Sequence, residues 1–301
     1  MSNSLEEFVK YEPSTPDEII QSALKQGYDR FYCMYSGGQD STCTTHYIAE
    51  NYPANFAGVV HADTGVSLEA TRKFVVEYCR EWDWPLYFTK PPKRTKNIER
   101  HGKDFTYRSF VLQYGFPHAR NHPWVLGYLK KFGWEGWMRD TQKLEAGACF
   151  ISGVRKRESM ARSRFREYTK KEVHRDKHVT YVSPFLYKTG DWVSKYFFEQ
   201  GLKKSPAYAM GFGISGECMC GAFADPWERE LLRQHDPKLY AMIVGLERDV
   251  KVCGSEDAKH HTEWGKSEPY MGPALGRVKK DKWQETLLCG ESCNVGAQDE
   301  E

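Results

Sequence analysis

The chain is 301 residues long, and 43 basic and 41 acidic side chains give it a formal net charge of +2. This balance provides no global attraction to nucleic acid or to a membrane surface, and no apolar stretch approaches the roughly 18 residues of a membrane-spanning helix. The N-terminal segment MSNSLEEFVK lacks the basic and apolar regions of a signal peptide. We therefore expect a cytoplasmic protein without a membrane partner.

Strand and helix patterns alternate along the first 90 residues. A helix is predicted at 16–27, where a proline and acidic residues precede spaced apolar positions and a closing glycine. Next come a buried strand (31–35), a helix (41–52), a second strand (56–65), an amphipathic helix (67–84) and a third strand (85–90). Such alternation is typical of an α/β fold with a doubly wound parallel sheet. The polar tips that follow 31–35 and 56–65 should then lie at the same edge of the sheet.

Residues 90–145 interrupt this alternation. A basic stretch is predicted to be a loop, and short helical pieces follow around 109–116 and 122–140, rich in aromatic and basic residues. Aromatic side chains beside cations are a feature of surfaces that bind single-stranded nucleic acid. A lid over a nucleotide, or a helical core with a solvated face, explains the composition equally well, so nucleic acid stays an open alternative partner.

The strand pattern resumes after this insertion. Strands are predicted at 148–154 and 179–185 with an Arg-rich segment between them, a helix at 189–201 with Thr189 as its N-cap, and two helices within 225–250 that meet near Pro237. From about residue 255 the chain is rich in Gly, Pro and charge, with weak periodicity.

This pattern predicts how the chain is organised into domains. Residues 1–225 would form a nucleotide-binding domain that carries a basic and aromatic helical insertion at about 90–145. Residues 226–301 would supply C-terminal helices and an irregular, cysteine-containing tail packed on the same domain. The sequence leaves the oligomeric state open.

The segment Ser36-Gly37-Gly38-Gln39-Asp40-Ser41 stands between the first buried strand and the following helix. Its glycines permit close backbone approach and positive φ, and the helix N-terminus offers amides to an anion. It lacks the lysine of the GxxxxGK[ST] phosphate loop. An ordinary polar turn is the alternative, but the position between strand and helix favours a site for nucleotide phosphates.

This loop, with Tyr35 before it, resembles the SGGxDS pyrophosphate loop of the N-type ATP pyrophosphatase superfamily, whose fold is adenine nucleotide alpha hydrolase-like. Four further segments resemble, in order, the phosphoadenosine phosphosulfate (PAPS) reductase branch of that superfamily. They are 61–65 with 69–71, 153–159 with Arg162, 184–187 with 191–193, and 205–211 leading into Cys218 and Cys220. Together they span roughly residues 30–225, and they imply a PAPS reductase-like fold.

The resemblance implies functions for the matched positions. The loop would bind the phosphates of ATP with Mg²⁺, or the equivalent groups of PAPS, and Asp40 would position the loop or the metal ion. Arg155 and Arg157 would bind phosphate or sulfate oxygens through their planar guanidinium groups. The implied nucleotide-binding set is Tyr35, Ser36, Gly37, Gly38, Gln39, Asp40, Ser41, Asp63, Thr64 and Gly153, and the implied catalytic set is Asp40, Arg155 and Arg157.

Nine cysteines are many for a chain expected in a reducing compartment, where clustered thiols bind metals more often than they form disulfides. Those in apolar stretches, Cys33, Cys43 and Cys79, are predicted to be buried core residues. Relatives in the branch carry a [4Fe–4S] cluster, which four converging cysteines hold. The resemblance implies Cys149, Cys218, Cys220 and Cys293 as ligands, with Cys289 as the alternative to Cys293. The C-x-C spacing departs from the C-x-x-C of the reductases, so unligated buried thiols stay an alternative.

Together these features favour an enzyme that cleaves ATP at the α–β bond, releases pyrophosphate and leaves AMP or an adenylylated acceptor. By analogy with thiolation and DNA phosphorothioation proteins, that acceptor would be a nucleic acid awaiting sulfur. One alternative is reduction of PAPS or adenylyl sulfate to sulfite, but Leu288-Cys289-Gly290-Glu291 stands where PAPS reductases carry E-C-G-L-H. The other is a non-catalytic nucleotide-binding subunit of a larger complex, such as a DNA-modification or CRISPR-associated system.

Overall fold

A computed structural model describes residues 14–91, 106–141, 147–158, 166–174, 177–225 and 227–266. Within these ranges, none of the helices has both the length and the apolar character needed to cross a membrane.

One six-stranded sheet organises the described part of the chain. Its strands are β1 (Arg30–Met34), β2 (Phe56–Ala62), β3 (Leu86–Thr89), β4 (Ala148–Ile151), β5 (Tyr168–His174) and β6 (Lys177–Val182). Their order across the sheet is β3-β2-β1-β4-β6-β5, and every neighbouring pair is parallel except β5 with β6. The predicted α/β fold with a largely parallel sheet is confirmed.

Strand β5 departs from the sequence prediction, because it lies in the Arg-rich segment where we predicted no strand. It pairs antiparallel with β6 and forms one edge of the sheet. Its sequence, YTKKEVH, is largely polar. This composition hid the strand from a search for apolar runs.

Helices connect the strands and flank the sheet. They are α1 (Pro16–Lys25), α2 (Gln39–Asn51), α3 (Glu69–Glu81), α4 (Tyr107–Tyr114), α5 (His122–Leu126), α6 (Phe132–Asp140), α7 (Gly190–Glu199), α8 (Glu228–His235) and α9 (Pro237–Cys253). A π-helix, Gly127–Lys131, joins α5 to α6. The predicted N-cap Thr189 accepts a hydrogen bond from the Trp192 amide.

Side chains of β1 alternate between the two faces of the sheet, as expected for a buried strand. Phe31 and Cys33 pack against α1, in a core cluster that includes Ile20. Tyr32 packs on the other face with Trp134 and further residues of α6. Helices therefore cover both faces, as a doubly wound sheet requires.

A second apolar core lies beside the sheet. Phe110 of α4, Leu129 of the π-helix and Ile243 of α9 belong to it, together with Cys218 and Cys220. The insertion and the C-terminal helices therefore pack on each other, and the cysteine-containing loop lies between them.

Parallel pairing brings three polar segments to one edge of the sheet. Cys33 of β1 pairs with Val59 of β2 on one side and with Ile151 of β4 on the other. The residues that follow these three strands, at 35–41, 63–65 and 152–155, thus meet at their carboxyl ends, where open α/β sheets bind ligands.

Candidate active site

The loop after β1 is folded by its own hydroxyl groups. Gly37 has φ +80°, a conformation that side chains disfavour. The Gly38 amide donates to Ser36 Oγ at 3.2 Å, and the hydroxyls of Ser36 and Ser41 lie 3.1 Å apart. Ser41 and Thr42 both donate to the Gly38 carbonyl, at 2.9 and 2.8 Å. The loop therefore has one fixed shape at the start of α2.

The N-terminus of α2 is suited to an anion. Its N-cap is Gly38, which makes no capping side-chain hydrogen bond. First-turn amides and the helix dipole favour phosphate at such a position.

Two distant segments hold this loop in place. The Ser205 amide donates to the Gly37 carbonyl at 2.8 Å. A Cβ atom built on Gly153 would lie 3.1 Å from the Asp40 carbonyl oxygen and 3.2 Å from the Ser41 nitrogen. Gly153 is therefore required by close packing of the segment after β4 on the first turn of α2.

Asp40 and Arg155 form an ion pair beside the loop. Arg155 donates from Nε and Nη2 to Asp40 Oδ2, at 3.0 and 2.8 Å, and both side chains are largely buried. The pair fixes the plane of the guanidinium at the carboxyl edge of the sheet, beside the loop after β1; we call this the phosphate edge. In this structure Asp40 positions Arg155, whereas the sequence left open whether it would position the loop or a metal ion. Arg157 is exposed, on the neighbouring turn Lys156–Glu158.

The tip of β2 provides a second charged group. Asp63 Oδ2 lies 3.5 Å from a guanidinium nitrogen of Arg72 and 3.7 Å from Lys90 Nζ, and its amide donates to the Thr89 carbonyl at 2.7 Å. Arg72 also lies over the Phe88 ring, 5.5 Å from its centroid. This edge therefore carries exposed cations beside a carboxylate.

Three predicted nucleotide-binding side chains have other partners. Thr64 donates to the Glu217 carbonyl at 3.0 Å, so its hydroxyl binds the cysteine-containing loop. Tyr35 is buried in a core cluster and stacks on Tyr78. Gln39 donates to Ser194 Oγ of α7 at 2.9 Å. The side chains of Tyr35 and Thr64 thus support the edge rather than line it.

The cysteine-containing loop is folded tightly between two glycines of positive φ, Gly216 (+77°) and Gly221 (+87°). A Cβ atom at either would lie within 2.7 Å of a neighbouring side chain. Met219 donates its amide to Val66 and accepts from the Trp264 indole. Hydrogen bonds hold the backbone of the loop, so the thiols of Cys218 and Cys220 have fixed positions.

A buried lysine accompanies these thiols. Lys130, on the π-helix, donates to Glu217 Oε2 at 2.5 Å, and both side chains are less than 10% exposed. Lys130, Cys218 and Cys220 line one cavity of about 20 Å³ together with His122 and Glu228, which is room for about one water molecule. π-Helical turns occur frequently at functional sites.

Charge and burial determine which side chains of this cavity are protonated. Burial lowers the pKa of Lys130, but the combined effect of the Glu217 carboxylate, its hydrogen bond and the two cysteines outweighs burial, so the pKa is raised. A hydrogen bond between the thiols lowers the pKa of Cys218 and raises that of Cys220, and the Lys130 charge favours the Cys218 thiolate. Burial, with Lys130, lowers the pKa of His122 to about 3. The cavity therefore favours one thiolate beside a cation and a neutral imidazole.

The structure does not bring Cys149 to this cavity. Cys149 lies on β4 in the core cluster of α1, together with Cys33, and burial raises its pKa. Among the described residues, no group of three or more His, Cys, Asp or Glu could hold a metal ion. Cys289, Cys293 and Arg162 lie outside the described residues. Of the predicted cluster ligands, the structure therefore brings together Cys218 and Cys220.

The residues that connect the two sites, His61, Lys130 and Glu217, were not among the predicted site residues. His61 Nδ1 donates to the Tyr35 carbonyl at 2.8 Å and lies 3.9 Å from Glu217 Oε1, and burial lowers the pKa of His61. Lys130 and Glu217 are 87 residues apart in sequence. In the sequence, only Glu217 of this pair was distinguished, by its position beside Cys218.

A known protein family matches most of the chain. The sequence model described as "Phosphoadenosine phosphosulfate reductase domain" matches residues 30–222. No curated protein sequence matches the chain.

Solved structures with similar folds include three nucleotide enzymes. A PAPS reductase from Candida auris shares 16% identity over 67% of this chain and 88% of its own, with a TM-score of 0.45. An FMN adenylyltransferase from Candida glabrata shares 12% identity over 69% of this chain and 67% of its own, with a TM-score of 0.40. The U34-tRNA thiolase NcsA from Methanococcus maripaludis was solved with its [4Fe–4S] cluster. It shares 12% identity over 79% of this chain and 82% of its own, with a TM-score of 0.36. At these values the similarities carry no argument about what this chain binds.

Proposed function

Since the chain belongs to the PAPS reductase domain family, we propose that it cleaves ATP between the α- and β-phosphates, releasing pyrophosphate and leaving AMP or an adenylylated acceptor. The observation that carries this proposal is the pairing of a hydroxyl-locked phosphate loop at the N-terminus of α2 with Arg155, which Asp40 fixes at the same edge. A pyrophosphate leaving group needs amide donors and a fixed cation.

The chain's residues account for binding and charge stabilisation. Amides at the start of α2 and the loop hydroxyls would bind the β- and γ-phosphate oxygens. Arg155 would stabilise the charge that grows on pyrophosphate as an acceptor oxygen attacks the α-phosphorus and the α–β bridging bond breaks. Mg²⁺, when bound with ATP, would neutralise phosphate charge. Because Asp40 already binds Arg155, we assign Asp40 the positioning of that guanidinium.

A pyrophosphate-release assay tests this function. The full chain is incubated with γ-labelled ATP and Mg²⁺, alone and with single-stranded DNA, RNA or tRNA as acceptors. We expect labelled pyrophosphate from the wild type, and about 100-fold slower release from Arg155→Met, because it lacks one charge-stabilising donor. The matched control is Arg233→Met, since Arg233 is an exposed cation paired with Glu230 on α8.

Three outcomes separate the candidate functions. Intact ATP under every acceptor condition would overturn the proposal, and nucleotide binding without turnover would favour a non-catalytic subunit. Sulfite release from PAPS in the presence of thioredoxin would establish the reductase alternative. Melting temperatures of both variants identify a loss of activity that comes from misfolding.

We further propose that Cys218 and Cys220 contribute to a [4Fe–4S] cluster, with Cys289 and Cys293 as candidates for the remaining ligands. The fit rests on the two thiols in the rigid loop and on Lys130, whose charge favours thiolate. When bound, such a cluster would supply redox-active, thiolate-bound iron. Cys149 is left out of this set because it packs in another core cluster.

A further inference from the structure

A groove of about 640 Å³ runs beside the candidate active site, between α3 and the start of α9. Its volume falls in the range of small-molecule sites, roughly 300–1,000 Å³. None of the steps assigned above uses this groove.

The groove is continuous with the nucleotide edge. Gly65, which lines it, directly follows the Asp63-Thr64 tip of β2. Arg72 also lines the groove, and its guanidinium lies 3.5 Å from Asp63 Oδ2. A molecule in the groove would therefore lie next to the edge at which the proposed reaction transfers the adenylyl group.

Four cations and three carboxylates line the groove: Arg72, Lys73, Arg80 and Lys238, with Glu69, Glu77 and Asp236. Two of the carboxylates are engaged. Asp236 is buried and accepts amide hydrogen bonds from Glu69 and Leu239 at 2.9 and 3.0 Å. Glu69 is paired with Lys73 at 2.8 Å. Two of the cations are engaged as well, because Lys73 is held by Glu69 and Arg72 by Asp63. Arg80 and Lys238 thus supply the positive charge for a ligand, with Glu77 opposing it.

Apolar side chains complete the lining. Val76 and Leu239 line the groove, and Met242 beside them is 38% exposed. An exposed methionine next to cations suits a ligand with an aromatic face and an anionic group, since thioether sulfur packs favourably on rings. A phosphate joined to a nucleobase has both parts.

We infer that this groove holds the acceptor of the adenylyl group, and that the acceptor is a nucleotide unit, with its phosphate near Arg80 and Lys238 and its base on Val76 and Met242. The inference rests on the proposed function, because only a transfer reaction needs an acceptor. A free nucleotide and a nucleotide within a strand share this chemistry, and the experiment distinguishes them.

The test measures binding with the ATP site already filled. The wild type is first saturated with α,β-methylene-ATP, whose affinity is measured by calorimetry. Binding of uridine monophosphate is then measured by calorimetry, and binding of fluorescein-labelled single-stranded RNA and DNA 12-mers by fluorescence anisotropy. We expect at least one probe to bind, and Arg80→Gln combined with Lys238→Gln to weaken it at least tenfold, with a smaller salt dependence for the strands.

Removal of a negative charge from the groove should have the opposite effect on binding. Glu77 is exposed in the same groove, so Glu77→Gln should tighten binding of the same probe two- to fivefold. Lys195→Gln on α7 is the matched control, because Lys195 is exposed and lies outside the groove. It should leave the affinity unchanged.

The failures of the two proposals are distinguishable. Absence of α,β-methylene-ATP binding would count against the proposed function, and the probes would then be measured without it. The groove inference is overturned if no probe binds, if the double variant binds like the wild type, or if Glu77→Gln weakens binding. Binding of uridine monophosphate alone identifies a free nucleotide, and binding of a 12-mer alone identifies a strand.

Discussion

At the scale of single residues, burial decides what a polar group can do. Asp40 and Arg155 are both largely buried and neutralise each other, which makes the guanidinium a fixed feature of the phosphate edge. Arg157, two residues further on, is exposed. Removing one member of a buried pair leaves the other charge uncompensated, and for this reason the Arg155 test includes a measurement of folding.

Glu228 carries a prediction about pH. It is 2% exposed, and burial raises its pKa from 4.5 to about 7. The folded chain therefore keeps a proton that the unfolded chain loses, and the free energy of unfolding falls as pH rises between these values. We expect Glu228→Gln to be more stable than the wild type by roughly 2 kcal/mol at pH 8 and nearly equal to it below about pH 4, measured by urea denaturation.

Glu230 on the same helix is the control for this prediction. Hydrogen bonds from Arg233 lower its pKa to about 2, so Glu230→Gln should bring no gain at pH 8. An equal stability difference for Glu228→Gln at both pH values would contradict the assignment.

At the scale of elements, the phosphate loop depends on segments far from it in sequence. The loop's own hydroxyls set its shape, but the Ser205 amide and the backbone at Gly153 hold it from outside. The cysteine-containing loop is held in the same way, by Val66 and Trp264. Both sites are therefore preorganised by packing between elements.

Gly153→Ala tests this packing. The new methyl group would lie 3.1 Å from the Asp40 carbonyl oxygen, so the first turn of α2 must shift by a few tenths of an ångström. Overpacking of this kind costs about 1–3 kcal/mol, and we expect about a tenfold loss of ATP affinity by calorimetry.

The matched control is Gly245→Ala on α9, where a Cβ atom would meet nothing within 4 Å. That change should leave ATP affinity intact and raise stability slightly, because alanine favours helix. Unchanged ATP affinity in Gly153→Ala would show that the contact does not position the loop.

At the scale of the whole molecule, two cores meet at the site. The sheet supplies the phosphate edge, and the helical core of the insertion and α8–α9 supplies Lys130 and the thiol cavity. Thr64 and Ser67 bridge them, since both donate to the Glu217 carbonyl. These two hydrogen bonds join the segment after β2 to the cysteine-containing loop.

Iron content tests the thiol cavity. After anaerobic purification, we expect about four irons and four sulfides per chain with absorption typical of a [4Fe–4S] centre. Cys218→Ser and Cys220→Ser should lose most of both, because each removes one ligand. Cys253→Ser, at an exposed cysteine, and Cys149→Ala should retain them. A colourless, iron-free wild type would contradict the proposed cluster. Iron loss in Cys149→Ala with an unchanged melting temperature would show that Cys149 is a ligand after all.

The sequence by itself determined the strand–loop–helix unit around Ser36–Ser41, the order of the family motifs and the largely parallel sheet. These features follow from periodicity and turn chemistry, which act between neighbours along the chain. Only the tertiary structure decided that Asp40 binds Arg155, that Thr64 binds the Glu217 carbonyl, and that Lys130 accompanies Cys218. Such pairs join residues far apart in sequence, and only the packing of elements against each other brings them together.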